Sequence, residues 1–148
     1  MQDKLESDLK SAMLGGDKIR TEVIRGIKNA LQYEAVAVNA PDRKLNEQQI
    51  EKVLAREAKK RQEAADLYKQ GGNMQKAEAE LAEKKIIEDY LPQQLDEAAI
   101  LELVKAEIAA AGAPTMADMG KIIGDVKQKA GAAADGATIA RAVKENLA

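Results

Sequence analysis

Hydrophobic residues recur every three or four positions along most of the chain, which predicts amphipathic α-helices. Gly15-Gly16, Pro41 and Gly71-Gly72 interrupt the pattern before Pro92, so we expect four helices in this part. Their apolar stripes are Leu5, Leu9 and Met13; Ile19, Val23, Ile27, Ala30 and Leu31; Ile50, Val53, Leu54, Ala58, Ala65 and Tyr68; and Met74, Ala77, Leu81, Ile86, Ile87 and Tyr90. Because a sharp turn separates the last two helices, they should form a long antiparallel hairpin.

The pattern restarts after Pro92 and predicts three further, shorter helices. Asp96 is a candidate N-cap for the first of them, and Thr115 to Asp118 fits a T-x-x-D capping box before the second. We therefore predict an all-α protein with two domains. Residues 1–92 form an N-terminal helical domain that contains the long hairpin, and residues 93–148 form a small C-terminal three-helix domain.

Composition excludes several kinds of chemistry. The chain has no cysteine and no histidine, which rules out disulfides, Cys/His zinc sites and His-assisted nucleophiles. We predict no catalytic residue, no metal site and no cofactor. The start of the sequence lacks an apolar signal core and no long apolar run follows, so we expect a cytoplasmic protein without a membrane partner.

The charge balance argues against a globally basic nucleic-acid binder. Lys and Arg number 23 and Asp and Glu number 25, for a net charge of −2. Any contact with nucleic acid must therefore use a local patch. The densest basic cluster, on the third predicted helix, consists of Lys52, Arg56, Lys59 and Lys60. Its ordinary interpretation is a solvated helix face, and no aromatic residue within it could stack on bases.

A second candidate lies in DMGKIIGDVKQKAG, residues 118–131, where Gly120 and Gly124 interrupt a helical stripe. Each glycine costs a helix about 1 kcal/mol relative to alanine. The pair could allow another helix to pack closely, or it could admit a phosphate–sugar backbone flanked by Lys121, Lys127 and Lys129. Of the two interpretations we favour packing, which predicts that a bulky residue at position 120 would disrupt a helix contact.

Several segments, taken in order, resemble the YqeY family. They are RTEVIRGIKNAL at 20–31, REAKKRQEAADLYKQGG at 56–72, EDYLPQQL at 88–95, ADMGKIIGDVKQK at 117–129 and ADG at 134–136. This family is similar to the C-terminal tail of the B subunit of the tRNA-dependent amidotransferase. The resemblance implies two helical domains and association with tRNA, or with a tRNA-charging assembly such as that amidotransferase or an aminoacyl-tRNA synthetase.

The amidotransferase complex is a carbon–nitrogen ligase with glutamine as amido-N-donor, and the resemblance implies that this chemistry lies outside the tail. The chain would then be a non-catalytic accessory protein. Two positions depart from the family, which commonly has basic residues where Asn73 and Ala133 stand here. The alternative hypotheses are a protein–protein interaction module that uses the helical hairpin and, third, an amide-transferring enzyme.

Overall fold

The computed structural model describes residues 1–147, and over that range it contains helices, turns and loops but no β-strand. The α-helices are α1 (Gln2–Leu14), α2 (Lys18–Ala37), α3 (Glu47–Gln70), α4 (Met74–Glu88), α5 (Glu97–Ala110), α6 (Met119–Ala130) and α7 (Gly136–Leu147). The predicted all-α fold is confirmed. Within residues 1–147, every helix is too short or too polar to cross a membrane.

Contacts divide the chain into two compact units, Met1–Leu91 and Pro92–Ala148. The division falls one residue before the boundary expected from the sequence. That each unit is a domain able to fold alone stays a prediction.

The first unit is built around a core shared by α1 to α4. α1 and α2 meet at a tight turn in which Gly16 has a φ of 70°, a conformation that glycine adopts without steric penalty. The buried apolar residues that form the core are Leu5, Val23, Ile24, Ile27, Leu31, Ala35, Leu45, Ile50, Val53, Leu54, Ala58, Ile87 and Tyr90. Most of the predicted stripes thus face inward.

Three residues predicted to face inward are exposed instead. Met13, Ile19 and Met74 are 53%, 57% and 53% exposed, respectively. Each lies in the terminal turn of its helix beside a glycine turn. These terminal turns extend past the shared core. A residue there is exposed even though its spacing matches that of the buried stripe.

α3 and α4 pack along each other as the predicted hairpin. α3 begins at a capping box in which the Asn46 carboxamide accepts the Gln49 N–H at 2.8 Å and the Gln49 carboxamide accepts the Asn46 N–H at 2.9 Å. Toward the tip, Ala65 of α3 and Ala77 of α4 are both fully buried, and Arg61 pairs with two carboxylates of α4. Small side chains at this interface let the helices approach closely.

Tyr90 closes the first unit from its C-terminal end. The phenol is buried, its hydroxyl donates a hydrogen bond to the Asp8 carboxylate of α1, and the Lys4 ammonium lies 5.3 Å from the ring centre. Burial, the hydrogen bond to Asp8 and the charge of that carboxylate raise the pKa of Tyr90 well above its ordinary value of 10.0. The neutral phenol is therefore the form that the fold stabilises.

This raised pKa predicts alkaline destabilisation. A group whose pKa is higher in the folded state contributes stability that is fully present below its unfolded value, about 10, and is lost as the pH rises toward the folded value. We expect the difference in unfolding free energy between wild type and Tyr90→Phe to be constant from pH 7 to 9. It should then shrink steadily above pH 10, as measured by urea unfolding with circular dichroism.

All other titratable groups are common to both proteins, so the difference between the two curves isolates Tyr90. At neutral pH the phenylalanine variant should be less stable by about 1.5–3 kcal/mol, the usual range for a hydrogen bond to a charged group. Curves that stay parallel up to pH 11.5 would show that the fold does not raise the pKa of Tyr90.

The second unit consists of α5, α6 and α7, each packed against the other two. Its buried core contains six apolar residues, Ile100, Val104, Ile122, Val126, Ile139 and Val143. The Asp96 carboxylate caps α5 by accepting the Ala99 N–H at 2.8 Å. The Thr115–Asp118 capping box also forms, although it opens a short 3-10 turn that leads into α6. Both local predictions are confirmed.

Candidate nucleic-acid interface

The two glycines of α6 lie on an open surface. Gly120 and Gly124 are both exposed, and a Cβ built on either would meet no heavy atom within 4 Å beyond its own stretch of helix. The predicted close packing of another helix at these positions is therefore wrong for the residues that the structure describes. The buried face of α6 is instead formed by Ile122 and Val126, so the glycines lie beside the core and outside it.

Lys127 lies on the same side of α6 as the glycines. The positions of Gly120, Gly124 and Lys127 correspond to i, i+4 and i+7, which share one helix face. The lysine side chain runs over the first turn of α7. A Cβ added to Gly136 would come within 3.0 Å of Lys127 Cε and 3.2 Å of Nζ. Gly136 therefore leaves the space that the lysine occupies.

Lys121 borders the glycines on the other side. Successive residues of a helix turn by about 100°, so Lys127 and Lys121 bracket the two glycines within an arc of about 120°. Both lysines are exposed, and neither forms an ion pair with a described residue. We call the surface formed by Gly120, Gly124, Lys121 and Lys127 the glycine face.

Lys129 does not belong to this surface. It lies about 160° around the helix from Lys127 and forms an ion pair with Glu107 of α5. Glu107 is buried, with 9% exposure, and its Oε1 atom is the one that pairs with the Lys129 ammonium. The Glu107 carboxylate raises the pKa of Lys129 through hydrogen bonding and charge. Lys129 thus supplies the counter-charge for a buried carboxylate, a structural role.

The basic cluster on α3 is partly compensated by its neighbours. Lys52, Arg56, Lys59 and Lys60 are all exposed on one side of the helix. However, Arg56 pairs with Glu34 of α2 at 3.2 Å, and Lys60 pairs with Glu57 at 3.1 Å. Lys52 and Lys59 form no ion pair within residues 1–147. About half of the charge that the sequence placed here is therefore offset locally.

The structure adds two residues that the sequence interpretation did not include. Gly136 is needed where Lys127 crosses the start of α7, and its signal was the ADG at 134–136. Tyr33 is 79% exposed and precedes Glu34, the partner of Arg56. Only the fold pairs Glu34 of α2 with Arg56 of α3, so no spacing within α3 could have indicated that α2 lies beside that cluster.

Comparison with known proteins agrees with the family resemblance of the motifs quoted above. A family model described as Yqey-like protein matches residues 2–147, nearly the whole chain. A search of curated proteins found no significant match. The family match spans both units, including α6 with its glycine face and the ADG at the start of α7, and it places this chain in the YqeY family.

Proposed function

We propose that this protein is a non-catalytic accessory protein that binds tRNA, or a tRNA-charging assembly, through the glycine face of its second unit. The proposal combines the resemblance of the family to the tail of the amidotransferase B subunit with the geometry of α6. The carbon–nitrogen ligase chemistry would belong to such a complex, and this chain would contribute contacts with the nucleic acid.

The observation that carries the proposal is the open environment of Gly120 and Gly124. A glycine inside a helix lowers its stability by about 1 kcal/mol relative to alanine. Where two helices pack closely, the contact can offset this cost, but here no such contact exists within the described residues. Bare peptide backbone between two exposed lysines allows a phosphate–sugar backbone to come nearer than any side chain would permit.

The charge around the surface predicts binding that is modest and sensitive to salt. Residues 91–148 carry a net charge of −2, from 6 basic and 8 acidic side chains (6 − 8 = −2). Two flanking lysines therefore act against an overall negative unit. Of the two departures from the family, Asn73 has a local structural role, because its side chain caps α4 by accepting the Lys76 N–H. At position 133 the main-chain carbonyl accepts the Leu95 N–H, a bond that does not depend on the side chain.

The direct test is the double variant Lys121→Gln/Lys127→Gln, assayed for tRNA binding over a range of salt concentrations. If each lysine meets a phosphate, the slope of log affinity against log salt should fall by about 1.4–1.8, or 0.7–0.9 per contact. Affinity should also fall at low salt while the circular dichroism spectrum is unchanged. Lys129 is excluded because its removal would leave Glu107 buried without a counter-charge.

The matched control is Lys105→Gln/Lys144→Gln, which removes two exposed lysines of the same unit that form no ion pair within residues 1–147. Both double variants change the net charge equally, so a general loss of positive charge would affect them alike. The same salt slope in both would contradict the glycine face as the contact. Absence of tRNA binding by the wild type at low salt would remove the proposal altogether.

A second candidate function is a protein-interaction module that uses the hairpin. It is favoured by the exposed apolar side chains near the hairpin tip, where Leu67 is 67% exposed and Met74 is 53% exposed. An apolar helix interface would weaken little as salt rises, whereas phosphate contacts weaken steeply. Salt dependence of the affinity for a captured partner therefore separates the two functions.

A further inference from the structure

We propose that a cleft in the first unit binds small dipolar molecules that carry both a carboxylate and an ammonium group, such as free α-amino acids. The cleft has a volume of about 540 Å³ and is bordered by the start of α1, the middle of α2 and the loop that joins α2 to α3. This volume falls in the range of ordinary small-molecule sites, about 300–1,000 Å³. It lies in the first unit, apart from the glycine face.

Two acidic and two basic residues around the cleft do not pair with each other. Asp3, Asp42, Arg43 and Lys44 all line it, and none of these four forms an ion pair within residues 1–147. The remaining two charged residues of the lining, Lys28 and Glu6, pair with each other. A ligand with one charge would face the wrong sign on part of the lining. A ligand with both charges can satisfy the carboxylates and the cations together.

The backbone beside the cleft is held in an unfavourable conformation. Within residues 1–147, the non-glycine residues with positive φ are Asn39, Asp42 and Arg43, at 50°, 52° and 55°. Asn39 follows α2, where the Ala40 N–H bonds back to the Ala35 carbonyl, a common helix ending that tolerates asparagine. Aspartate also visits this region, because its short side chain can bond locally. Arg43 follows Asp42 in a turn closed by the Lys44 N–H and the Pro41 carbonyl, at a position where glycine, asparagine or aspartate is the usual residue.

Arg43 is therefore the residue whose backbone conformation does not suit its side chain. A glycine would adopt this backbone conformation without steric cost, yet the chain has a long cationic side chain there, at the edge of the cleft. Residues held in sparsely populated conformations concentrate at binding sites, where the strained residue supplies a needed group. We assign Arg43, with Lys44, to the carboxylate of the ligand and Asp3 and Asp42 to its ammonium group.

The floor of the cleft indicates which side chain the ligand carries. Leu5 and Leu31 line it but are almost fully buried, at 1% and 3% exposure, so only the edges of their side chains reach the cleft. The carboxamides of Gln2 and Gln32 also line the cleft and offer both hydrogen-bond donors and acceptors. An aliphatic amino acid matches this lining better than glycine does, because its side chain can lie against these apolar edges.

The test uses L-leucine as the probe, with acetate and n-butylamine as probes that carry one charge each. Binding is followed by ¹H–¹⁵N chemical shifts of the full chain at constant ionic strength and pH 7. We expect L-leucine to shift the amides of Leu5, Leu31, Arg43 and Lys44 with an affinity at least about tenfold higher than that of either single-charge probe. Equal affinities for the three probes, or shifts confined to other residues, would overturn the proposal.

Arg43→Gly provides the sharpest variant, because it relieves the backbone while it removes the charge. We expect its melting temperature to equal or exceed that of the wild type and its L-leucine affinity to fall about tenfold or more. Arg43→Gln, which keeps a long side chain, should lose affinity to the same degree and thereby excludes a rearranged loop as the cause. The control Lys10→Gln removes an exposed lysine of α1 outside the cleft and should bind as the wild type does. Unchanged affinity in both Arg43 variants would refute the assignment.

Discussion

Ile139→Ala is expected to unfold the second unit while α1 to α4 remain folded. Ile139 is fully buried in α7 and belongs to a core of six apolar residues. Replacing a buried isoleucine by alanine costs about 2–5 kcal/mol. A unit of this size buries a smaller fraction of its surface on folding than a larger domain does, so it has little stability to lose. The loss should therefore exceed what the remaining five core residues can support.

Amide ¹H–¹⁵N spectra distinguish the two units directly. In the variant, signals from residues 92–147 should collapse to random-coil positions, while those from residues 1–91 stay where they are in the wild type. Ile139→Val, which costs only about 0.5–1.5 kcal/mol, should keep the second unit folded and serves as the matched control. Loss of both sets of signals together would show that the units fold as one and that the two-domain prediction is wrong.

Under the proposed function, the same variant should also lose tRNA binding. The glycine face depends on α6 being packed against α5 and α7, since Ile122 and Val126 anchor it to the core. Binding of L-leucine in the cleft should persist, because the cleft is lined only by residues 2–44. One substitution thus separates the two proposed sites.

The elements that could be predicted from sequence are those set by local chemistry. Helix starts at Asn46 and Asp96 follow from side chains that accept a nearby backbone N–H, and such bonds need no knowledge of the rest of the fold. The glycine turns follow from backbone freedom at Gly16 and Gly72. The recurrence of apolar residues every three or four positions then assigns an inner face to each helix.

Contacts between residues distant in sequence could not be predicted in this way. Lys129 was grouped with Lys121 and Lys127 because they are close in sequence, yet its partner Glu107 lies on another helix. The hydrogen bond from Tyr90 to Asp8 likewise joins opposite ends of the first unit. Helical spacing gives the direction in which a side chain points but not what it meets there, and both roles depend on what it meets.

The glycines of α6 also show that spacing within one helix does not indicate what that helix contacts. Their spacing is typical of close helix packing, and the sequence favoured that interpretation. The structure leaves the space above both of them open, because α5 and α7 pack on the neighbouring apolar residues instead. The glycine spacing was identified correctly. Whether another helix packs on it depended on where α5 and α7 lie.

The double variant Gly120→Ala/Gly124→Ala should therefore become more stable and bind tRNA less tightly. Alanine meets no heavy atom beyond the helix at either position, and each exchange favours a helix by about 0.8–1 kcal/mol. Together they should raise the unfolding free energy of the second unit by up to about 2 kcal/mol. The two added methyl groups hold a phosphate backbone away from the peptide groups, so we expect affinity to fall about tenfold, or 1.4 kcal/mol.

Gly26→Ala provides the control, because Gly26 is a third exposed helical glycine with open space around its Cβ position, and it lies on α2 of the first unit. It should stabilise the first unit by a similar amount per residue, about 0.8–1 kcal/mol, and leave tRNA affinity unchanged. The measurements are urea unfolding and tRNA titration on the wild type, the double variant and Gly26→Ala. Only if tRNA contacts the α6 backbone itself should the double variant gain stability and lose tRNA affinity. A stabilised double variant with undiminished affinity would show that tRNA does not approach the glycines, and it would leave the hairpin as the better candidate for the binding surface.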